Sequence, residues 1–293
     1  MSESKQPKPS LLVECACTLG EGPLWIPETQ HVLWVDILTS RLFWRDMRTG
    51  EVSQKAMPTG ITSIVEHAEG GFVATGLKSV LRLDADFNLI SQLPDPEPNQ
   101  EENRFNDGKV DRAGRYWVGT MHAPITRVSG NLYRYDGTSL VRTLTDIGIT
   151  NGPAFSLSGQ RMYHTDSLTR KVYTLTLSPE GDLSDRQEFL SFGEADGNPD
   201  GMTVDSEDCL WIAFYDGGCV RRFSKMGEEL YRIDLPVRRP TSLTFGGAGL
   251  TEMFITSAAL DQPKPEDPDG GLVHIKTAFS GLVEPKFDPK IMI

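Results

Sequence analysis

Positive charge is scarce in this chain. Its 29 lysines and arginines stand against 41 aspartates and glutamates, a formal net charge of −12. That balance argues against a nucleic-acid partner, because phosphate-backbone binders cluster Lys and Arg to displace counterions. Long apolar runs are missing too. No stretch approaches the roughly 20 consecutive apolar residues of a membrane-spanning helix, and the polar start Met1–Pro9 lacks the apolar core of a signal peptide. The expectation is a cytoplasmic protein with no membrane contact and no obligatory protein partner.

Cysteine is limited to Cys15, Cys17, Cys209 and Cys219, too few for a disulfide framework and without a C-x-x-C pair. Free thiols are expected, with Cys15 and Cys17 alternating on one face of an early strand as small buried hydrophobes. Their C-x-C spacing does not match the usual zinc-ligand patterns. No Gly-x-Ser-x-Gly elbow, phosphate loop or dinucleotide fingerprint occurs, which disfavours covalent serine catalysis and nucleotide use. Helical spacing is almost absent, and 28 Gly and 19 Pro would interrupt long helices repeatedly.

What the chain does contain is a long-period repeat. Short apolar runs begin at Leu33, Phe72, Tyr116, Met162, Leu210 and Met253, and a second apolar run follows each. The intervals range from 39 residues (72 − 33) to 48 (210 − 162), matching the about 40 to 50 residues of one four-stranded propeller blade. Gly70-Gly71, Asp136-Gly137 and Gly246-Gly247 supply turn chemistry between runs. A β-sandwich would space its strands at about 8 to 12 residues without the longer period. The reading is an all-β, six-bladed β-propeller: one domain over residues 11–293 behind a disordered tail at 1–10. The strand Leu11–Cys17 is expected to pair with the last blade and close the ring, while 94–102 and 261–270 read as solvated surface loops.

Oxygen-bearing residues recur in phase with this repeat. Asn106 precedes Tyr116 by 10 residues, Asn151 precedes Met162 by 11, Asp200 precedes Leu210 by 10 and Glu21 precedes Leu33 by 12. Thr62 and Ser242 hold the same phase in the other two repeats. Innermost propeller strands line a central channel, so equivalent positions converge on one mouth. Taken singly, Asn-Gly and Asp-Gly are common turn formers; the joint phase, and Glu21 within Gly-Glu-Gly-Pro, favour a shared site. Two carboxylates brought together repel unless one takes a proton or a cation joins them. Carboxylate and amide oxygens suit a hard divalent ion, calcium foremost, with magnesium, manganese, zinc or iron as alternatives. His122 and His164 lie within the strand segments, where a histidine is more often packed than ligating.

These same segments carry a family resemblance. Leu19-Gly20-Glu21-Gly22-Pro23, Asn103-Arg104-Phe105-Asn106-Asp107-Gly108-Lys109-Val110-Asp111, Gly119-Thr120-Met121, Thr150-Asn151-Gly152, Asp166-Ser167 and Pro199-Asp200-Gly201-Met202 resemble, in order, the motifs of the SMP-30/gluconolactonase family. The resemblance covers nearly the whole chain and implies a six-bladed propeller with one catalytic divalent metal and sugar-lactone hydrolysis. It implies Glu21, Asn151 and Asp200 as metal ligands, Asp200 also as general base, and Arg104 and Asn106 as substrate contacts. Where regucalcin-like animal members carry a substrate-contacting Glu, this chain reads His122-Ala123-Pro124. Pro124 cannot supply that hydrogen bond, so sugar preference does not transfer from the animal members; the His122 variant is similar to bacterial lactonases of the family, and the resemblance implies His122 as a further substrate contact.

The expected activity is metal-dependent opening of an aldonolactone, such as gluconolactone or a pentonolactone, to the aldonic acid. Two readings compete with it: hydrolysis of organophosphate triesters, which uses similar propeller metal sites, and a non-catalytic calcium-binding propeller.

Overall fold

The computed structural model describes residues 8–261 and 268–292. Six four-stranded antiparallel sheets follow one another along the chain. The first strand of blades 1 to 6 is, in turn, Gly20–Ile26, Ser63–Glu66, Asn103–Val110, Thr150–Phe155, Asn198–Val204 and Pro240–Gly246. These six strands touch one another in a closed ring, the last against the first. The expected six-bladed propeller is therefore the observed architecture. Among the described residues, the only helices are short 3-10 turns at Glu194–Asp196 and Pro289–Met292, and no helix is long and apolar enough to cross a membrane.

Period-two alternation explains the packing. Successive side chains of a strand face opposite neighbouring blades, so the middle strands are apolar on both sides. Met162 packs with Trp117, Leu132 and Phe155 between blades 3 and 4, while the next residue, Tyr163, packs with Met202, Leu210 and Phe214 between blades 4 and 5. Each such side chain removed from water contributes about 1.5–3 kcal/mol. A repeated polar anchor fixes the blades. Asp111 accepts from Trp117 Nε1 and Arg115 Nε, and Asp205 accepts equivalently from Trp211 Nε1 and Arg222 Nε.

Ring closure is as expected. Ser10–Val13 pairs antiparallel with Leu272–Lys276 as the outermost strand of blade 6. That strand is shorter than the sequence suggested, because Ala16 takes a φ of 46° and breaks the alternation. Cys15 and Cys17 consequently lie beyond it; the Cys15 thiol donates to the Gly270 carbonyl at 3.1 Å, and all four cysteines are free. Of the tail expected at 1–10, residues 1–7 lie outside the described residues, and Ser10 already opens a strand. Residues 262–267 of the loop expected at 261–270 are likewise outside the described residues.

The segment 94–102 differs from a simple solvated loop. Its Glu97 is only 7% exposed. The carboxylate accepts from Asn103 Nδ2, Thr120 Oγ1, Asn131 Nδ2 and Tyr133 OH at 2.6–2.8 Å, which ties the segment to blade 3.

Candidate active site

The in-phase positions Glu21, Thr62, Asn106, Asn151, Asp200 and Ser242 are all buried, and each stands within or directly before an innermost strand. Four of those strands break register at matching places: between Glu21 and Leu24, Phe105 and Gly108, Asn151 and Ala154, and Pro199 and Met202. A bulge re-aims side chains that regular alternation would send to neighbouring blades. Gly108 allows the close approach this needs, since a Cβ there would meet the Trp117 carbonyl at 2.8 Å and Ser63 Oγ at 2.9 Å.

A hydrogen-bonded chain runs across the bulged segments. Arg104 donates from one terminal nitrogen to the Phe105 carbonyl and to Asn106 Oδ1, both at 2.8 Å. Asn106 Nδ2 donates to the Thr150 carbonyl and, at 2.7 Å, to Asn151 Oδ1. Asn151 Nδ2 donates to Ser167 Oγ, which donates on to the Pro199 carbonyl at 2.6 Å. Both donors of Asn106 and one of Asn151 are used, so their oxygens are held in fixed directions.

The carboxylates form an electrostatically strained group. Burial raises Glu21 well above the usual carboxylate range, and Asp200 and Asp107 raise it further, with Arg104 opposing. Burial followed by the Asp107 charge raises Asp200 likewise. Asp107 accepts from the backbone amides of Gly108 at 2.7 Å and Gly152 at 3.0 Å, yet burial still pushes it up to about 6. Burial also draws Arg104 down to about 10, with Glu21 opposing, so it remains cationic at neutral pH.

A divalent cation fits these residues. Asp200 Oδ1 is buried and has no hydrogen-bond partner, and an orphaned buried carboxylate oxygen requires compensation. Asn151 Oδ1 accepts a single hydrogen bond and retains a second lone pair. Among the described residues no three His, Cys, Asp or Glu side chains converge closely enough to hold an ion by themselves. The donor set is thus carboxylate plus amide, chemistry that suits oxygen-seeking ions.

Histidine lies apart from this group. His122 is opposite Asn103 in the strand register while Arg104 is opposite Met121, so alternation sends His122 and Arg104 to opposite faces. The His122 ring is held between Glu102 Oε2 at 3.1 Å and the Thr126 amide at 3.2 Å. His164 is fully buried, and neither ring nitrogen has a partner.

Asp107 and Ser167 were not assigned to the site from sequence. Regular alternation after Asn106 would have turned Asp107 away, and only the bulge brings adjacent residues to one place. Ser167 acts through Asn151 from a different strand end, a contact with no local signature.

The chain matches the SMP-30/Gluconolactonase/LRE-like region over residues 19–259. It is 35% identical over 275 residues to a 6-deoxy-6-sulfogluconolactonase of Pseudomonas putida, covering 92% of this chain and 94% of that protein. It is 33% identical over 292 residues to the pentonolactonase XacC of Haloferax volcanii, covering 96% and 98% respectively. Among solved structures, a luciferin-regenerating enzyme superposes with a TM-score of 0.88 at 28% identity, covering 96% of this chain and 99% of that one.

Proposed function

The chain belongs to the SMP-30/gluconolactonase family, and on that premise we propose that it hydrolyses a sugar lactone to the aldonic acid, with one divalent cation held by Glu21, Asn151 and Asp200. The observation that carries this reading is the unpartnered, buried Asp200 Oδ1 beside a Glu21 whose ionised form burial and neighbouring carboxylates disfavour. Calcium is the favoured ion because the donors are oxygens alone. Residues 11–293 act as one catalytic unit in this proposal.

A lactone is a cyclic ester, and its carbonyl oxygen gains negative charge as water attacks. The bound cation supplies Lewis-acid stabilisation of that charge. Asp200, besides holding the cation, accepts the proton of the attacking water. The carbonyl carbon gains the water oxygen, the ring ester bond breaks, and the departing ring oxygen takes up a proton to become a hydroxyl. Arg104 commits one terminal nitrogen to the protein, which leaves its other donors for substrate hydroxyls and the product carboxylate. Asn106 aims both Arg104 and Asn151. His122, buried on the face opposite Arg104 and fixed by Glu102 and Thr126, is proposed to shape the substrate's surroundings at the strand end rather than to contact it beside Arg104.

The test follows proton release from gluconolactone, xylonolactone and a phosphotriester with chelator-stripped protein, while single divalent ions are restored. Lactone turnover that depends on the ion and exceeds spontaneous opening is expected. Full activity after complete metal removal would refute the metal's role; turnover of the phosphotriester alone would refute the lactonase reading.

A further inference from the structure

The C-terminal segment crosses the channel at the end opposite the site. The Gly281 amide donates to the Leu250 carbonyl, and the Ser206 amide to the Ser280 carbonyl, fastening the segment to blades 6 and 5. Beyond Glu284, the Phe287 amide donates to Glu66 and the Asp288 amide to Gly114, fastening it to blades 2 and 3. All four anchor points lie at or beyond the far ends of innermost strands, so Glu284 is carried across the propeller axis.

Two innermost strands meet it there. Lys109 Nζ lies 3.2 Å from Glu284 Oε1 and donates to the Met202 carbonyl at 2.9 Å, and Thr203 Oγ1 donates to the same Glu284 oxygen at 3.1 Å. Lys109 is three residues along its strand from Asn106, and Thr203 three from Asp200, or about 10 Å at about 3.3 Å per residue. A cavity of about 30 Å³ is lined by Ser63, Asp107, Lys109, Ser242 and Glu284, so little but water-sized space separates the ion pair from Asp107. Burial alone would raise Glu284, yet Lys109 and Arg112 bring it below the usual carboxylate range. Glu284 is thus charged beneath the site, and the Lys109 ammonium acts on Asp107, whose carboxyl it lowers against burial.

We propose that Lys109 and Glu284 tune the divalent-cation site from below, Lys109 weakening cation binding and Glu284 strengthening it by pinning and offsetting the ammonium. This rests on the reading that Glu21, Asn151 and Asp200 hold a divalent ion. At an effective dielectric of about 20, a unit charge about 10 Å from the ion shifts its binding by more than tenfold, which solvent and salt screening reduce to several-fold. Removing Glu284's charge leaves an unbalanced cation under the site and frees Lys109 to swing toward Asp107. Removing Lys109's charge takes away the cation beneath the site. The two changes break the same ion pair but act on the metal in opposite directions, which a purely structural pair would not do.

The test is calorimetric calcium titration of the chelator-stripped full chain, with melting temperatures in chelator as a control for folding. Glu284→Gln is expected to weaken calcium binding about three- to tenfold and Lys109→Met to tighten it by a similar factor, while Lys109→Arg retains the parent affinity. If Lys109→Met does not fold, Lys109→Gln carries the same expectation. A measurable parent affinity that both variants weaken, or that neither moves, would overturn the inference alone. Failure of the unsubstituted chain to bind calcium, magnesium, manganese or zinc would overturn the metal reading and this inference together.

Discussion

The Asn106 amide donates to the side-chain oxygen of Asn151 at 2.7 Å, across the boundary between blades 3 and 4. Because the Asn106 oxygen is simultaneously occupied by Arg104 at 2.8 Å, one amide couples the proposed substrate arm to the proposed metal ligand. The coupling is rigid, since both residues are buried and Asn151 is braced from behind by Ser167.

Replacing Asn106 tests that coupling. Asn106→Ala removes three hydrogen bonds, at about 1–3 kcal/mol for each buried group left without a partner. The expected result is a fall in kcat/KM for lactone hydrolysis of about 10- to 100-fold, together with weaker calcium binding. An effect on KM alone would mean that Asn151 is aimed without help from Asn106.

The carboxylate group makes a prediction about stability without metal. Glu21→Gln and Asp200→Asn each remove a buried charge that its neighbours oppose. In chelator at neutral pH both variants should melt above the unsubstituted chain by about 2–4 °C for each kcal/mol of repulsion relieved. In calcium the order should reverse, because only the unsubstituted chain gains about 2.7 kcal/mol at a hundredfold excess of ion over Kd. Scanning calorimetry with and without calcium reads both effects.

His164 links pH to stability. Burial, then the Arg186 charge, draws its pKa from 6.5 to about 3 in the folded chain. Between those values the unfolded chain binds the proton and the folded chain does not, so stability rises with pH through this window and is lost as pH falls. His164→Leu should therefore lose less stability between pH 6.5 and pH 4 than the unsubstituted chain, measured by urea denaturation across that range. Parallel curves for the two proteins would show that His164 does not carry the effect.

Glu97 should matter more than its acidic, proline-rich surroundings suggest. Glu97→Ala leaves donors of Asn103, Thr120, Asn131 and Tyr133 without their acceptor, at about 1–3 kcal/mol for each that finds no water. A drop in melting temperature on the order of 10 °C is expected, with a rise in KM because Asn103 directly precedes Arg104. Glu97→Gln, which keeps one acceptor oxygen, should recover part of both losses.

Local chemistry wrote the architecture into the sequence. Strand alternation and turn residues are set by neighbours within a few positions, so the 39- to 48-residue interval announced six blades. Phase then placed Glu21, Asn106, Asn151 and Asp200 on equivalent strand ends, because equivalent positions in a ring face one axis whatever their separation along the chain. Tertiary structure alone decided what that regularity could not carry. The bulge between Phe105 and Gly108 brought Asp107 beside the other carboxylates, against its alternation. Glu97 was drawn into blade 3 by donors up to 36 residues away. Lys109 met Glu284 across 175 residues because the chain's last segment crosses the channel. Those contacts depend on which strand ends the closed ring brings together, and no local pattern of side chains encodes that.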